Sequence, residues 1–360
     1  MGRSFQNNLM QKLLISLLLL PFTLSSQTNS YPDNSWPVMN DPAAQGWNVP
    51  KLNELKKFIG DSCNTTGMLV IQHGKTLFQY GNLEELSYLA SCRKSVLSML
   101  YGPFVKNGTV DLSKTIEQLG LDDVGGLLPL EKKATIKDLL TARSGVYHPA
   151  SNPGDATDMA PKRGTVQPGT FWLYNNWDFN IAGYILEKET GQNIYKLVDS
   201  VLAKPLHMED WKIEEQHKSG DLTRSQYPAY HMWFSTRDMA RIGYLMLRNG
   251  KWKDQQIIPV DWVKTSTSIV TSNKEGKENK TAYYNFGYSY LWWIWDKPAN
   301  TGYYEGAYTA SGAFGQFITV FPKLDLVIAH KTKPDNARQT SMDVYLQIIN
   351  KLLSAKKAGK

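Results

Sequence analysis

A serine hydroxyl and a lysine amine stand three positions apart in the stretch Leu89-Ala90-Ser91-Cys92-Arg93-Lys94-Ser95-Val96-Leu97. On a helix that spacing puts both side chains on one face. A serine hydroxyl at its ordinary pKa is a poor nucleophile and needs a base held against it, and a lysine desolvated by its surroundings can serve. Ser91 and Lys94 are therefore the candidate nucleophile and activator. The spacing is not sufficient by itself, because Ser354-Ala355-Lys356-Lys357 repeats the S-x-x-K string in what reads as a solvated helix end.

Two further stretches carry groups that such a pair needs. Pro168 to Gly183 runs from a turn through aromatic residues into a helix starting after Asn176, and Tyr174 and Asn176 sit two apart at that junction. Tyr174 could hydrogen-bond Ser91, and Asn176 could orient Lys94 or a substrate amide. Tyr283-Tyr284-Asn285 has the same Y-x-N form but reads as the run-in to a strand. Free lysine and tyrosine titrate near ~10, too high for a base at neutral pH, so at least one of Lys94 and Tyr174 must be depressed by burial or contact. The second stretch is Ala310-Ser311-Gly312-Ala313-Phe314-Gly315-Gln316. Small residues there let a strand edge approach a substrate and offer a backbone N–H to an oxyanion. The alternative is a glycine-softened bulge without chemistry. Trp172, Trp177, Trp292, Trp293 and Trp295 could line an acyl pocket, although most such rings belong to a core.

Other chemistries find no foothold. The chain has no G-x-S-x-G elbow, no H-E-x-x-H, no paired His or Cys ligands among its six histidines and no phosphate loop, so neither cofactor nor metal is expected. Its formal net charge is +7. The basic residues are scattered apart from Lys356, Lys357 and Lys360, and no basic helix is interleaved with aromatics, so nucleic acid is not an expected partner. Arg3 and Lys12 precede an apolar run from Leu13 to Leu24, which reads as a secretory signal cleaved near Ser26. The run is too short to span a bilayer core of ~30 Å, so no stable membrane insertion is expected afterwards. An uncleaved interfacial anchor is the other reading. Cys63 and Cys92 could pair in an exported chain, but Cys92 falls inside the nucleophile's helix, so two buried free thiols are expected.

The elements that must position these groups read as one catalytic unit. Residues 27–49 look like an extended lead-in, and Leu52, Leu55, Phe58 and Ile59 mark one face of a helix. Met68–Gln72 and Thr76–Tyr80 form a hairpin across His73-Gly74-Lys75. The Ser91 helix buries Val96, Leu97, Leu100 and Val105, is kinked by Pro103 and ends near Asn107-Gly108. A mostly helical middle places Ile136, Leu139 and Leu140 before a turn at Arg143-Ser144-Gly145. Strands follow at Phe286–Trp295, Gly306–Ala310, Gln316–Phe321 and Leu324–Ala329, with antiparallel pairing expected and a tight turn at Pro322–Asp325. A closing helix carries Val344, Tyr345, Ile348, Ile349, Leu352 and Leu353.

Taken in order, Ser91-Cys92-Arg93-Lys94, then Tyr174-Asn175-Asn176 after 83 residues (174 − 91), then Ala310-Ser311-Gly312 after 136 more (310 − 174), resemble the serine beta-lactamase and penicillin-binding superfamily. The likeness is greatest to class C beta-lactamase-related hydrolases, which use Y-x-N as the middle motif, and it extends to Leu140–Gly145 and Tyr174–Gly183. It implies an α/β fold, an antiparallel sheet flanked by helices on both faces, within a catalytic domain over residues 50–355. An all-helical region would be inserted at about 107–265. By the same resemblance Ser91 is acylated, Lys94 and Tyr174 share acid and base work, Asn176 positions substrate, and the amides of Ser91 and Ala313 form the oxyanion hole beside Ser311 and Gly312. One position departs: Ala310 stands where relatives carry Lys or His, so the cation that binds a beta-lactam carboxylate is missing. The expected function is an exported (periplasmic or extracellular) serine hydrolase of a small-molecule ester or amide. A D-alanyl peptidase, or a binding or sensor module acylated without turnover, are the alternatives.

Overall fold

In the computed structural model the described residues are 1, 30–33, 35–152, 154 and 157–357. The apolar run read as a signal peptide lies outside them.

The hairpin forms as expected, from β1 (Gly67–Gln72) and β2 (Lys75–Gly81), with a bulge between Val70 and Ile71. Five later strands extend it: β3 (Phe286–Tyr288), β4 (Trp293–Trp295), β5 (Tyr308–Gly312), β6 (Gln316–Phe321) and β7 (Leu326–Lys331). The sheet runs β2-β1-β7-β6-β5-β4-β3, and every neighbouring pair is antiparallel. β1 therefore sits against the last strand, Gly67 opposite Lys331 and Gln72 opposite Leu326, which closes the chain's two ends into one sheet.

Both faces are covered, and alternation along β6 explains how. Ile318 meets helix α5 (Thr236–Leu247), where Gly243 has no side chain because an added Cβ would lie 2.5 Å from Val327 Cγ1 and 2.8 Å from Ile318 Cγ2. Phe317 and Thr319 point the other way, to helix α6 (Met342–Ser354). There Phe317 stacks on Tyr345 with ring centroids 4.0 Å apart, and Thr319 Oγ1 lies 2.6 Å from Tyr345 OH. Helix α1 (Val49–Ser62) packs beside α6, started by Pro50 and by Asn48, whose side chain accepts from the Lys51 N–H at 3.1 Å. Helix α2 (Cys92–Lys106) lies against β5 and β6, tied by Cys92 Sγ to the Gln316 carbonyl at 3.1 Å.

Two expectations are corrected. Phe286 to Trp295 is not one strand: Leu291 turns at φ 63°, and Trp293 comes back opposite Tyr288. A run of aromatics packs equally well in one long strand or two short ones, so its pattern could not reveal the turn. The middle of the chain is not all helical either. Beside α3 (Ile136–Leu140) and α4 (Asn176–Thr190) it holds ladders of Ser87–Tyr88 with Trp233–Phe234, His217–Ser219 with Ala229–His231, and Lys251–Trp252 with Gln255–Gln256. α5, which falls within the range expected for the insertion, covers the sheet itself. Among the described residues no helix is long and apolar enough to cross a membrane.

Candidate active site

Ser91 occupies the N-cap position of α2, yet its side chain makes no capping hydrogen bond. Serine is favoured at N-caps because its oxygen accepts from the first turn's orphan N–H groups. Here the hydroxyl is turned to other partners. The preceding residue, Ala90, holds φ 49°, a left-handed conformation that costs a non-glycine residue about 1 kcal/mol or more and swings the chain sharply from strand into helix.

Lys94 sits one turn along α2, 2 % exposed, with Nζ 3.1 Å from Ser91 Oγ, 2.5 Å from Tyr174 OH and 2.7 Å from Asn176 Oδ1. The Tyr174 and Phe179 rings flank the same nitrogen, with centroids at 4.2 and 4.5 Å. Lys94 Nζ thereby bridges Ser91 Oγ and the Tyr174 phenol. A hydroxyl, an amine and a phenol thus share one hydrogen-bonded cluster through which a proton can pass.

The segment bearing Tyr174 and Asn176 is anchored from both sides. Asn175 caps α4, its Oδ1 accepting from the Trp177 N–H at 3.0 Å while its Nδ2 donates to the Val146 carbonyl at 2.5 Å. Asp178 accepts from Ser144 Oγ at 2.6 Å, and burial raises its carboxyl well above the usual range. The Leu173 N–H donates to the Ala142 carbonyl at 3.0 Å. The Leu140–Gly145 stretch is therefore the brace for Tyr174. Arg143 fastens that brace outward, donating to the Gly169 carbonyl at 2.9 Å and to Glu275 at 2.7 Å.

β5 supplies the opposite wall. A Cβ on Gly312 would lie 2.8 Å from the Leu89 carbonyl oxygen, 3.0 Å from the Ser91 nitrogen and 3.1 Å from the Cys92 nitrogen, so only glycine lets this strand end reach the start of α2. Ala313 follows in the turn, exposed beside Ser91. Ser91, Tyr174, Ser311, Gly312 and Ala313 together line a cleft of about 620 Å³.

Asn176, expected to position substrate, is instead buried at 2 % exposure behind the cleft, and its contact with Lys94 fits the orienting role. Ala310 is fully buried, and strand alternation gives the cleft to Ser311. A lysine at 310 would therefore start among packed side chains, not on the cleft wall. The lone thiols are unbridged; Cys92 is buried, which pushes its pKa up and keeps it inert, whereas Cys63 is only part-buried. Ser354 lies exposed at the end of α6, remote from this chemistry.

Trp172 and Trp293, two of the tryptophans read as able to line a pocket, do line the cleft. Other cleft residues escaped the sequence reading. Tyr283, in the Y-x-N string set aside, also lines the cleft and packs on Trp293 with centroids 4.6 Å apart. Asp158 and Met159 complete a third side. Trp177 and Trp292 are core, as most of the tryptophans were expected to be. Arg93, beside Lys94, is 2 % exposed, stacks 5.0 Å above the Tyr230 ring and donates to Asn180 Oδ1 at 3.4 Å.

The beta-lactamase family model matches residues 56–341. An uncharacterised protein of Alkalihalophilus pseudofirmus is 25% identical over 264 residues, 67% of this chain and 71% of that one. Among solved structures, a putative 6-aminohexanoate-dimer hydrolase from Bacillus anthracis superposes with a TM-score of 0.66 at 20% identity, covering 89% of this chain and 88% of that one. The hydrolase EstCE1, described as having promiscuous acyltransferase activity, gives 0.62 at 14% identity, covering 87% of this chain and 100% of that one. At these identities the structural likeness establishes the fold.

Proposed function

Because the chain belongs to the beta-lactamase family, we propose that it is a serine hydrolase that cleaves a small ester or amide through an acyl-enzyme on Ser91. Members of this fold family are serine hydrolases, esterases and amidases among them. The observation that carries the finer reading is the Ser91 hydroxyl, released from capping and held 3.1 Å from Lys94 Nζ at the mouth of the cleft.

Burial raises the Tyr174 phenol, against the lowering effect of the neighbouring Ser91 hydroxyl, so the phenol stays protonated at neutral pH. The proton acceptor is then the neutral Lys94 amine. It takes the Ser91 proton as Oγ bonds to the substrate carbonyl carbon, and the carbonyl electron pair moves onto oxygen, which faces the Ser91 and Ala313 backbone N–H groups. When that pair returns, the bond to the leaving oxygen or nitrogen breaks. The leaving group takes the Tyr174 proton, and Lys94 returns its own to Tyr174. Water repeats the sequence on the acyl-enzyme and frees Ser91. D-alanyl peptides end in a carboxylate, and among the described residues no lysine or arginine lines the cleft to receive one, which favours the esterase or amidase reading over the peptidase.

The test is to incubate the protein with p-nitrophenyl esters and aryl amides and map the adduct by mass spectrometry. An acyl group on Ser91, with a burst followed by steady turnover, is expected. A burst without turnover would instead indicate a sensor. The proposal includes export, on the strength of the Leu13–Leu24 run alone; N-terminal sequencing of protein recovered outside the cytoplasm should begin near residue 27.

A further inference from the structure

We propose that Arg93 is a positioning residue, whose buried guanidinium charge stabilises the phenolate that Tyr174 becomes on handing its proton to the leaving group. This rests on the hydrolase reading above and deepens it, by giving work to a buried cation that the mechanism leaves unused.

Arginine keeps its charge in a protein, and burying that charge without a carboxylate is costly. Arg93 is buried, its guanidinium reaches Asn180 Oδ1 only at 3.4 Å and lies 5.0 Å from the Tyr230 ring centroid, and its Nε has no partner. Among the described residues no carboxylate pairs with it. The titratable groups within reach of its charge are neutral near pH 7. Burial raises the Tyr88, Tyr195 and Tyr230 phenols and lowers the His231 imidazole to about 4, and the Tyr195 and Tyr230 hydroxyls are themselves unpartnered. The charge is therefore left uncompensated, and helix packing brings it to the catalytic cluster. Consecutive residues of α2 meet consecutive residues of α4: Lys94 Nζ lies 4.5 Å from the Phe179 ring centroid and Arg93 donates to Asn180, while the Tyr174 ring packs on Phe179 at 4.8 Å. Burial, the largest influence on the Tyr174 phenol, raises it, and the Arg93 charge acts the other way. The Cys92 thiol and the Tyr283 phenol, which also face Tyr174, are kept neutral by burial. A phenol so buried is a weak acid, yet a leaving oxygen or nitrogen needs its proton as the bond breaks. Lys94 gives up its own charge when it returns a proton to the phenolate, whereas Arg93 stays charged throughout.

The measurement compares two esters of one acyl group: a p-nitrophenyl ester, whose leaving group departs as an anion, and an ethyl ester, whose leaving oxygen needs a proton. With the acyl group shared, kcat/KM reports acylation, and the ratio between the two isolates the demand for that proton. In Arg93→Gln the p-nitrophenyl-to-ethyl ratio should rise about ten-fold, on the order of one decade per unit of phenol acidity lost. Asn180→Asp keeps the guanidinium but gives it a carboxylate, and the ratio should rise several-fold there too, whatever happens to the rate common to both esters. An Arg93 that served packing alone would slow both esters alike. An unchanged ratio in Arg93→Gln overturns the inference, and where that variant does not fold, an unchanged ratio in Asn180→Asp does so. In either case turnover with an acyl adduct on Ser91 leaves the hydrolase reading standing. Failure of both esters to acylate Ser91 in the wild type overturns both.

Discussion

At the scale of single residues, nucleophile and fold are separable. Ser91 makes no cap bond, so Ser91→Ala should lower kcat by about 10⁴-fold or more while leaving the urea midpoint within a few tenths of a molar. Ser354→Ala should change neither. Near wild-type turnover in Ser91→Ala, measured on the best ester, removes the acyl-enzyme from the account. The pair beside it sets the pH dependence. The sequence required Lys94 or Tyr174 to be depressed, and burial moves Tyr174 the other way. On the proposed mechanism the phenol must stay protonated, so activity declines only where the phenol loses its proton, above the ordinary value near ~10. A kcat/KM profile with a descending limb between pH 7 and 9, one that Tyr174→Phe abolishes, contradicts this assignment. The motif residues Ser91, Lys94, Tyr174, Ser311, Gly312 and Ala313 could be picked out because each sits in a short string with chemical meaning. Tyr283 and Asp158 could not, since what makes them cleft residues is adjacency between elements far apart in the chain.

At the scale of elements, two glycines separate stability from catalysis. Gly243 lets α5 settle on β6 and β7, and the atoms an added methyl would meet are branched carbons of Val327 and Ile318 with little freedom to move. Gly243→Ala should therefore cost about 1 to 3 kcal/mol in chemical denaturation, less whatever the helix gains in propensity, with kcat preserved. Gly312 faces backbone atoms at the start of α2 instead. Gly312→Ala should push β5 away from Ser91 and lower kcat by roughly 10²-fold, as expected for an approximately 1 Å misplacement, at smaller cost in stability. If the two variants show the same balance of losses, the division of labour drawn here is wrong. Helix faces and the β1–β2 hairpin were readable because their periods differ, 3.6 against 2. The split of Phe286–Trp295 was not, because the turn at Leu291 carries no glycine, proline or asparagine to announce it.

At the scale of the whole molecule, β7 carries a buried lysine. Lys331 is 2 % exposed, donates to the Ser87 carbonyl at 3.1 Å and also to the Phe234 carbonyl, and desolvation lowers its pKa to about 7. The unfolded chain holds that proton up to about 10.4. Between those values the unfolded state binds more protons, so unfolding free energy rises with pH, by on the order of 2 to 4 kcal/mol from this group. The buried tyrosines oppose the trend above pH 10, where the unfolded chain loses phenolic protons that the folded one keeps. Urea unfolding at pH 7, 8.5 and 10 should show wild type gaining on Lys331→Met across that interval; parallel curves would refute it. The antiparallel sheet with helices on both faces was foreseeable from the resemblance and from strand alternation, whereas the small ladders inside the middle region are two or three residues long and leave no period to read. The closure of β1 on β7 also governs timing. Ser91 and Ala313 are separated by 222 residues (313 − 91), so a ribosome adding about 5 to 20 residues per second spends roughly 10 to 45 s between them. Throughout that interval the hydroxyl has been made and its proposed oxyanion partner has not, and β1 has no β7 to pair with. On the proposed mechanism the nascent chain holds an incomplete site until the segment bearing Ala313 has been made.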